Sequence, residues 1–385
     1  MKHDVEVALI ERILGNLAAG RREMANGERQ SPVDAYTSPQ RHAAELSHLF
    51  RRHPVIVGPS SALPEPGTFL THDFTGMPIL AVRGADGQVR AFLNVCRHRG
   101  SRIVTESSGK AARAFVCPYH AWSYDLTGAL TGVSDATAFA GLDRAAHGLV
   151  PLPAAERHGL IWVRPSKVEP GEAPLDIDAF LGPLASDFAD FGLEGAALYA
   201  PVELPRAMNW KVMVDTFLED YHFRWVHGQS VHKYYLDNAS VYDRIGRHIR
   251  YVIPKRTLKD LAGSDPATWR LRDHSNILYY IFPNTVMVFV ADHAAIFAMF
   301  PSGDANHSVM HLSFCLPEKP ETEKARAYWD KNASLIRIAL NEDFVVGEGI
   351  QAGFASGANQ HLTFGRYEKG LAFFHDIVEE AISGA

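Results

Sequence analysis

Two short stretches predict the fold of this chain: NVCRHRG at residues 94–100 and CPYHAW at residues 117–122. Each stretch pairs one cysteine with one histidine, Cys96 with His98 and Cys117 with His120, and eighteen residues separate His98 from Cys117. Mixed pairs of this kind can hold an iron–sulfur cluster asymmetrically, with thiolates on one iron and neutral imidazoles on the other. Because imidazoles leave their iron less negative, the four residues are predicted to bind a cluster that accepts electrons readily.

The cysteine content supports metal ligation rather than a disulfide framework. Only three cysteines occur in 385 residues, and two of them lie in these pairs. The third, Cys315, lies in an apolar run and is expected in the core. The turn Asp86-Gly87 between apolar runs predicts a hairpin ahead of the first pair, and we expect a hairpin to present each pair. A structural zinc site or two unrelated pairs are the alternatives, but zinc fingers usually pair like ligands with like.

Composition indicates a soluble globular enzyme. The chain is 46% hydrophobic and 21% charged, which is ordinary for folded domains. Its formal charge of -6 argues against nucleic-acid binding, which normally needs a basic surface. We find no apolar run as long as a membrane span and no secretion-type apolar core at the start. A cytoplasmic location is therefore expected, in keeping with unpaired thiols.

The organisation along the chain predicts two domains and an N-terminal extension. Residues from about 5 to 25 have helical spacing, short strands with Gly or Pro turns follow, and a Pro-rich linker begins at Pro165. Later apolar runs at 277–282 and 286–290 predict a sheet covered on both faces. We predict these segments: 1–39, helical and packed with the last domain; 40–165, an all-β domain carrying both pairs; and 166–385, a mixed domain of helices and strands.

A second group of chemically active side chains follows residue 209. Placed on one helix, Asp215, Glu219 and His222 fall on a single stripe among apolar residues. A buried acidic stripe is costly unless it is paired or bound to metal, so it is a functional candidate. His227 lies five residues after His222, about 140° away on an ideal helix. The two histidines can share one metal only if the helix widens or ends between them.

A third acidic position is needed for an iron that binds oxygen, because two histidines and one carboxylate leave coordination positions open. Residues from Glu321 to about Gly353 predict a long helix. Asp343 has apolar residues at offsets of three, four and seven, and the setting of Glu342 is nearly as apolar. Periodicity does not choose between these two carboxylates.

Together these motifs resemble those of the large (alpha) subunits of Rieske non-heme iron oxygenases, the aromatic-ring-hydroxylating dioxygenase family. The two Cys-His stretches resemble the Rieske [2Fe–2S] motif, and Asn209-Trp210-Lys211 followed by Glu-x-Tyr-His and a later histidine resembles the catalytic signature. The segment from Ala35 to Glu45 also matches. The resemblance implies an α+β fold: an N-terminal all-β Rieske domain and a helix-grip-like catalytic domain whose antiparallel sheet is covered by helices. The family usually has glycine where this chain has Ala121.

The resemblance also implies roles for individual residues. Glu219 would bridge the cluster of one subunit to the iron of the next, with Asp220 a weaker candidate and Asp215 structural. The aspartate that follows a glutamate is the family's ligand, which favours Asp343 over Glu342. The implied ligands of one [2Fe–2S] cluster are Cys96, His98, Cys117 and His120, and those of one mononuclear iron(II) are His222, His227 and Asp343.

The implied activity is that of a terminal oxygenase in a multicomponent system. Electrons from reduced nicotinamide would arrive through a separate reductase, with or without a ferredoxin, and this chain shows no Gly-x-Gly-x-x-Gly after a strand. The product would come from hydroxylation or dihydroxylation of an aromatic or other small organic molecule. Thr216 replaces the asparagine of many dihydroxylating relatives, so monooxygenation with O- or N-demethylation is the alternative. A head-to-tail homotrimer is implied, with or without a beta subunit, and Arg97 and Arg99 are candidates for its interface or for donor docking.

Substrate identity is less constrained by the sequence. Four arginines could recognise a carboxylate or be surface charges: Arg224, Arg247, Arg250 and Arg272. Six aromatic residues could line an apolar pocket or fill the core: Tyr279, Tyr280, Phe282, Phe289, Phe297 and Phe300. Outside the enzyme class, a pure electron-transfer protein would not need the second histidine group, and a zinc-stabilised binding protein would be colourless.

Overall fold

The computed structural model describes residues 1–384, which form two compact units. One unit combines Met1–Glu45 with the chain from Leu181 onward, and the other is Leu46–Phe180. The mixture of a β-rich unit and a unit of helices on an antiparallel sheet confirms the α+β prediction. The domain bounds 1–39, 40–165 and 166–385 stay predictions.

The unit Leu46–Phe180 consists mainly of short antiparallel strands. A buried cluster that includes Trp122, Tyr124 and Phe115 forms its core around Cys96 and Cys117. A π-helical turn, Leu46–Phe50, precedes the first strand. In spatial order the three sheets are Pro151–Leu152, Val89–Leu93, Ile79–Arg83, Thr68–His72 and Ser108–Lys110; then Ala154–Arg157, Leu160–Val163 and Val55–Pro59; then Ala114–Val116, Ser123–Asp125 and Leu130–Gly132.

The expectation of two ligand hairpins is correct for one pair and wrong for the other. Residues 117–122 form the loop between the paired strands Ala114–Val116 and Ser123–Asp125. The Asp86-Gly87 turn also joins paired strands, as predicted. The first Cys-His pair, however, follows Val89–Leu93 in a long loop, because the next strand, Ser108–Lys110, pairs with Thr68–His72 instead.

The larger unit is built on one seven-stranded antiparallel sheet. In spatial order its strands are Ala197–Arg206, Asp304–Leu316, Ala294–Ser302, Thr285–Phe289, Ser275–Ile281, His248–Pro254 and Val241–Ile245. Strands Ser275–Ile281 and Thr285–Phe289 are buried at almost every position, which confirms a sheet covered on both faces. The unit also contains a small pair of strands, Arg29–Pro32 and His361–Phe364.

Helices of this unit vary greatly in length. The N-terminal helix is His3–Ala18, shorter than predicted, and Gly20 follows it with a left-handed φ of 62°. The predicted long helix is confirmed as Glu323–Phe354, whose first turn is capped by the Thr322 hydroxyl. The remaining helices are Asp34–Thr37, Pro39–Glu45, Ile177–Leu181 at the boundary of the units, Leu184–Asp190, Trp210–Asp215, Phe223–Val226, Leu271–His274 and Lys369–Ser383. Within residues 1–384, no helix is both long and apolar enough to cross a bilayer.

A buried ion pair ties the N-terminal segment to the sequence Asn209-Trp210-Lys211. Glu45 accepts a hydrogen bond of 2.5 Å from Lys211 Nζ and one of 2.8 Å from Trp210 Nε1. The Asn209 amide donates to the backbone carbonyl of Tyr36 at 2.8 Å, and its oxygen caps the helix that Trp210 begins. Glu45 and Lys211 are fully buried, so each charge depends on the other for compensation. This contact fixes the helix that leads into the His222 region.

Candidate metal centres

In the smaller unit, the structure groups like ligands with like. The Cys96 and Cys117 thiols are buried and contact each other. The rings of His98 and His120 lie with their centroids 4.6 Å apart. A thiol pair beside an imidazole pair is the arrangement that a [2Fe–2S] cluster needs when each iron has its own type of ligand.

The surroundings orient these side chains. The Tyr124 hydroxyl lies 3.3 Å from Cys96 Sγ and accepts a hydrogen bond of 2.9 Å from the Arg97 backbone N–H. The His98 ring stacks on Trp122, with centroids 4.9 Å apart and planes 10° from parallel. Burial raises the pKa of the Cys96 thiol, so the thiolate form needs a metal ion to stabilise it here.

The donor set fits a Rieske cluster. Within the described part of the chain, His98 Nδ1 is buried and has no hydrogen-bond partner, which leaves its lone pair available to a metal. The ligand loops also require special backbone geometry. Gly100 has a φ of 78° and Ala121 a φ of 56°, both in the left-handed region that favours glycine. Ala121 thus occupies a conformation that explains why the family prefers glycine at this position.

In the larger unit, the structure brings His222, His227 and Asp343 together. One ligand atom from each lies within 4.8 Å of the others. Asp343 Oδ1 is 3.1 Å from His227 Nε2 and 3.5 Å from His222 Nε2. Donors held about 2.1 Å from one metal ion are separated by roughly these distances. Two imidazoles and one carboxylate on one side of an ion match the ligand set of oxygen-activating iron.

The prediction that Asp215, Glu219 and His222 share one helix is wrong. The helix Trp210–Asp215 ends at Asp215, and irregular chain leads to His222. His222 and His227 then flank the short helix Phe223–Val226, one before it and one after it. The condition that two histidines five residues apart need an interrupted helix is therefore met by helix ends. Asp343 comes from the middle of Glu323–Phe354, where it is 9% exposed.

Of the three acidic residues on the predicted stripe, Glu219 alone touches the histidine pair among the described residues. One Glu219 carboxylate oxygen contacts His222 Nδ1, and the other accepts the backbone N–H of His222 at 3.1 Å. Asp220 instead accepts a hydrogen bond of 2.6 Å from Ser240, and burial raises its pKa to about 7. Asp215 lies 2.7 Å from the Tyr36 hydroxyl and 2.9 Å from His375 Nε2. Glu219 therefore both shapes the turn and orients the His222 ring.

The two neighbouring carboxylates on the long helix have different partners. Glu342 Oε2 lies 2.7 Å from His227 Nδ1 and accepts 2.6 Å from the Ser230 hydroxyl. Asp343 meets the opposite nitrogen, Nε2, of His227. A carboxylate on one ring nitrogen fixes the tautomer that presents the other nitrogen to a metal. The geometry thus separates two residues that helical periodicity could not.

Electrostatics of the histidine pair also fit a cation. Burial lowers the pKa of His222, but the hydrogen bond and charge of Glu219 with the charge of Asp343 outweigh it and leave that pKa raised. The pKa of His227 is raised for the same reason, through Asp343 and Glu342. His222 Nε2 is buried without a hydrogen-bond partner in the described chain. The site therefore favours positive charge where a metal ion would bind.

A cavity of about 600 Å³ reaches His227 and Asp343. Thr216 lines it, as do alternate residues of the central strands. Of the six aromatic candidates, Phe297 lines this cavity and the other five fill the core. Residues that sequence reasoning missed are Phe217, Phe223, Tyr235, Lys255 and Asn276. The alternation of strand side chains was the available signal, but it needed the strand register to show which face is open.

None of the four candidate arginines lines this cavity among the residues described. Arg250 pairs with Asp243 at 2.8 Å and with Asp187 at 3.3 Å. Arg224 pairs with Asp237. The other two also have protein partners: Arg272 donates to the Val290 carbonyl, and Arg247 lies over the Phe282 ring. Their charges are used within the protein, so a substrate carboxylate needs another cation.

Comparison with known families agrees with both centres. The model for the Rieske [2Fe–2S] domain matches residues 53–143, and that for the ring hydroxylating alpha subunit (catalytic domain) matches residues 193–384. The chain belongs to the Rieske oxygenases as an alpha subunit. This Rieske oxygenase is an oxidoreductase that incorporates O₂, and its cofactors are a [2Fe–2S] cluster and a mononuclear iron. The predicted family, enzyme class and cofactors are confirmed.

Curated relatives of this Rieske oxygenase are monooxygenases. The glycine betaine monooxygenase oxygenase subunit of Chromohalobacter salexigens is 28% identical, over 91% of this chain and 85% of the relative. The carnitine monooxygenase oxygenase subunit of Acinetobacter pittii is 27% identical, over 91% of this chain and 94% of the relative.

Solved structures confirm the fold. The quaternary ammonium Rieske monooxygenase CntA, in complex with L-carnitine, superposes with a TM-score of 0.77 at 22% identity, over 91% of this chain and 95% of that chain. Naphthalene 1,2-dioxygenase superposes with a TM-score of 0.73 at 19% identity, over 92% of each chain. Monooxygenases and dioxygenases thus share this fold, so the fold does not choose the reaction.

Proposed function

We propose that this Rieske oxygenase is a monooxygenase that cleaves a carbon–nitrogen bond of a quaternary ammonium compound. The observation that carries the proposal is a group of aromatic rings at the end of the cavity that reaches His227. The Phe223 ring lies 5.3 Å from the His227 ring and 5.8 Å from that of Tyr235, and Phe217 and Phe297 are 4.9 Å apart. Aromatic faces attract quaternary ammonium groups through cation–π interactions.

Two further observations support monooxygenation over dihydroxylation. Relatives that align over most of this chain are named for monooxygenation of glycine betaine, choline and carnitine. Thr216 lines the cavity and donates its hydroxyl to the Met213 carbonyl at 2.9 Å, so it offers no amide group to the site. Aromatic hydroxylation is the second candidate, because the apolar volume of about 600 Å³ also suits an aryl ring.

The residue roles follow from the contacts. Cys96, His98, Cys117 and His120 hold the cluster, and His222, His227 and Asp343 hold the iron. When bound, the iron supplies the open positions at which O₂ is activated. Glu219 and Glu342 keep the Nε2 atoms of the histidines directed at Asp343, and the aromatic rings exclude water while they orient the substrate.

The reaction balances with two electrons. One oxygen atom enters a C–H bond beside the nitrogen, and the other leaves as water with two protons. The resulting carbinol breaks its carbon–nitrogen bond, so the products are a tertiary amine and an aldehyde. Electrons are proposed to come from a separate NAD(P)H-dependent reductase, directly or through a ferredoxin.

We propose a homotrimer, with or without a beta subunit, in which Glu219 connects to the cluster of the adjacent subunit. The loops that carry the cluster ligands expose Arg97, Arg99 and Tyr119, and the Arg99 guanidinium lies 5.3 Å from the Tyr119 ring centroid. This cationic and aromatic surface is proposed to contact the electron donor or the adjacent subunit. A cytoplasmic location is proposed because the three cysteines are unpaired thiols.

The proposal is tested with purified protein, a generic reductase and NADH. We expect glycine betaine, choline, carnitine or a close analogue to give aldehyde in amounts equal to the NADH consumed. A cis-diol from naphthalene or benzoate, with no aldehyde from any ammonium compound, would contradict the proposal and favour dihydroxylation.

The relay role of Glu219 has its own test. Glu219→Gln should leave cluster and iron loaded, by absorption and iron content, but slow product formation, because an amide does not hold the His222 tautomer as a carboxylate does. Asp220→Asn is the matched control, since Asp220 faces Ser240. Full activity of Glu219→Gln would disprove the relay role.

A further inference from the structure

One corner of the substrate cavity contains a cation with no carboxylate partner. Lys255 lines the cavity, and its ammonium donates 3.2 Å to the backbone carbonyl of Asp273. Among the residues described, no carboxylate oxygen lies within ion-pair distance of this ammonium. A lysine that is half-buried without a counter-ion is uncommon, because desolvation of the charge is not offset.

The nearby carboxylate is already occupied. Asp292 lines the same cavity, and its two oxygens contact His293 Nδ1 at 2.8 Å and the Tyr328 hydroxyl at 2.6 Å. Burial lowers the pKa of Lys255, although the charges of Asp273 and Asp292 oppose this effect. The protein therefore leaves Lys255 with hydrogen-bonding capacity directed at the cavity contents.

A second polar group without a full set of partners adjoins Lys255. Asn276 is opposite Ile253 on the neighbouring strand, so Asn276 and Lys255, two residues beyond Ile253, lie on the same face of the sheet. The Asn276 amide nitrogen lies 2.6 Å from the Tyr235 hydroxyl, whereas its oxygen is buried without a partner. Tyr235 is also paired with Lys255 through a backbone bridge.

These three side chains form a polar corner in a cavity that is otherwise mostly apolar. An amide whose two ends can exchange, next to a hydroxyl and an ammonium, can present two or three donors to one anion. A planar carboxylate matches such a set, since charge-assisted hydrogen bonds are the strong ones.

We infer that Lys255, with Asn276 and Tyr235, binds the carboxylate of the substrate and makes this enzyme selective for organic acids. The inference rests on the proposed function and deepens it: the substrate carries its reacting group toward His227 and Asp343 and its carboxylate at this corner. A quaternary ammonium acid and an aromatic acid share the carboxylate, and the experiment separates them.

The test measures binding to the metal-loaded, oxidised protein by calorimetry, without turnover. The probes are γ-butyrobetaine, choline, which lacks a carboxylate, and benzoate. Lys255→Met should raise the Kd of carboxylate probes about 10- to 100-fold, the range for a lost charge-assisted hydrogen bond. Choline should change less than about twofold. Lys259→Met, an exposed lysine outside the cavity, is the matched control and should leave all affinities unchanged.

Two further variants keep the inference testable if Lys255→Met folds poorly. Lys255→Arg should restore most carboxylate affinity, whereas Asn276→Asp should weaken carboxylates by adding a like charge at the same volume. Equal losses for choline and γ-butyrobetaine, or no loss for either, would overturn the inference.

The outcomes also separate this inference from the proposed function. Benzoate that binds through Lys255 while ammonium compounds do not bind would support the corner and contradict the proposed substrate class. Binding of γ-butyrobetaine that is independent of Lys255 would support the substrate class and contradict the corner.

Discussion

The two metal centres of this Rieske oxygenase are assembled in opposite ways. Cluster ligands come in two pairs, each within four residues of chain, on adjoining loops of a small β unit. Iron ligands come from two distant parts of the chain, the ends of the short helix Phe223–Val226 and the middle of Glu323–Phe354. The first centre depends on local turn geometry, and the second depends on how helices pack on a sheet.

This difference explains what surrounds each centre. The cluster site is stabilised by stacking and by core packing of its own loops, as His98 on Trp122 shows. The iron site needs carboxylates that orient its histidines, Glu219 for His222 and Glu342 for His227. It also needs the buried Glu45–Lys211 pair, which fixes the helix before His222. Long-range sites carry more supporting residues because no single loop defines their geometry.

The largest effect is expected from Asp343→Ala, which should separate the two centres completely. Removing one of three iron ligands should abolish stable iron binding and product formation, while the cluster, held by a different unit, keeps its absorption and its electron paramagnetic resonance signal. Iron content and spectra of the same sample check both statements. Loss of the cluster together with the iron would contradict independent assembly.

A large loss of stability is expected from Glu45→Ala. The change leaves the Lys211 charge buried without a partner, which costs about 3–5 kcal/mol. Because 1 kcal/mol corresponds to about 2–4 °C in Tm for a unit of this size, Tm should fall by roughly 6–20 °C in circular dichroism.

The control for Glu45→Ala is Glu379→Ala. Glu379 also pairs with Arg41, at 2.7 Å, but its side chain is 47% exposed. An exposed pair contributes about 0–1 kcal/mol, so its Tm should change little. Equal effects of the two changes would show that burial of the Glu45–Lys211 pair is not what stabilises the iron unit.

A smaller effect is expected from Glu342→Gln. An amide can accept a hydrogen bond from His227, but it lacks the charge that increases ligand basicity, so iron affinity should fall about 10- to 100-fold. Competition with a chelator measures the affinity, and Glu348→Gln on the same helix is the control. Complete loss of iron would assign Glu342 as a direct ligand and contradict the role of Asp343.

The smallest effect is expected in the cluster unit, from Ala121→Gly. A non-glycine residue in the left-handed region costs about 1–2 kcal/mol, partly offset by the greater flexibility that glycine gives to the unfolded chain. The net gain should be about 0.5–1 kcal/mol, measured as slower loss of cluster absorption in denaturant. Ala112→Gly, where φ is not positive, should give no gain. A destabilised Ala121→Gly protein would show that the loop does not depend on this geometry.

The same contrast decides how much the sequence could predict. The cluster ligands were predictable because each pair and its turn residues are adjacent, and the long helix was predictable because its apolar period extends over many turns. The end of the helix at Asp215 was not, because the Glu219 carboxylate that accepts backbone N–H groups there looks, by spacing alone, like one more residue on a helix face. Periodicity likewise could not separate Glu342 from Asp343, since both face partners that only the tertiary fold brings near.

The substrate cavity was the least predictable feature. Its lining alternates along strands whose register and open face the sequence does not specify, so aromatic core residues such as Tyr279 looked equivalent to Phe297. Lys255 carried no signal, because a single lysine at the end of a strand is usually a surface charge.

Mössbauer spectroscopy of reduced, iron-57-enriched protein tests the central claim most directly, because it reports every iron at once. The account predicts a Rieske cluster with chemically distinct iron atoms and a separate high-spin ferrous site in the native protein, and only the cluster in Asp343→Ala. A native spectrum with the cluster alone, or an Asp343→Ala spectrum that keeps the separate ferrous site, would contradict it.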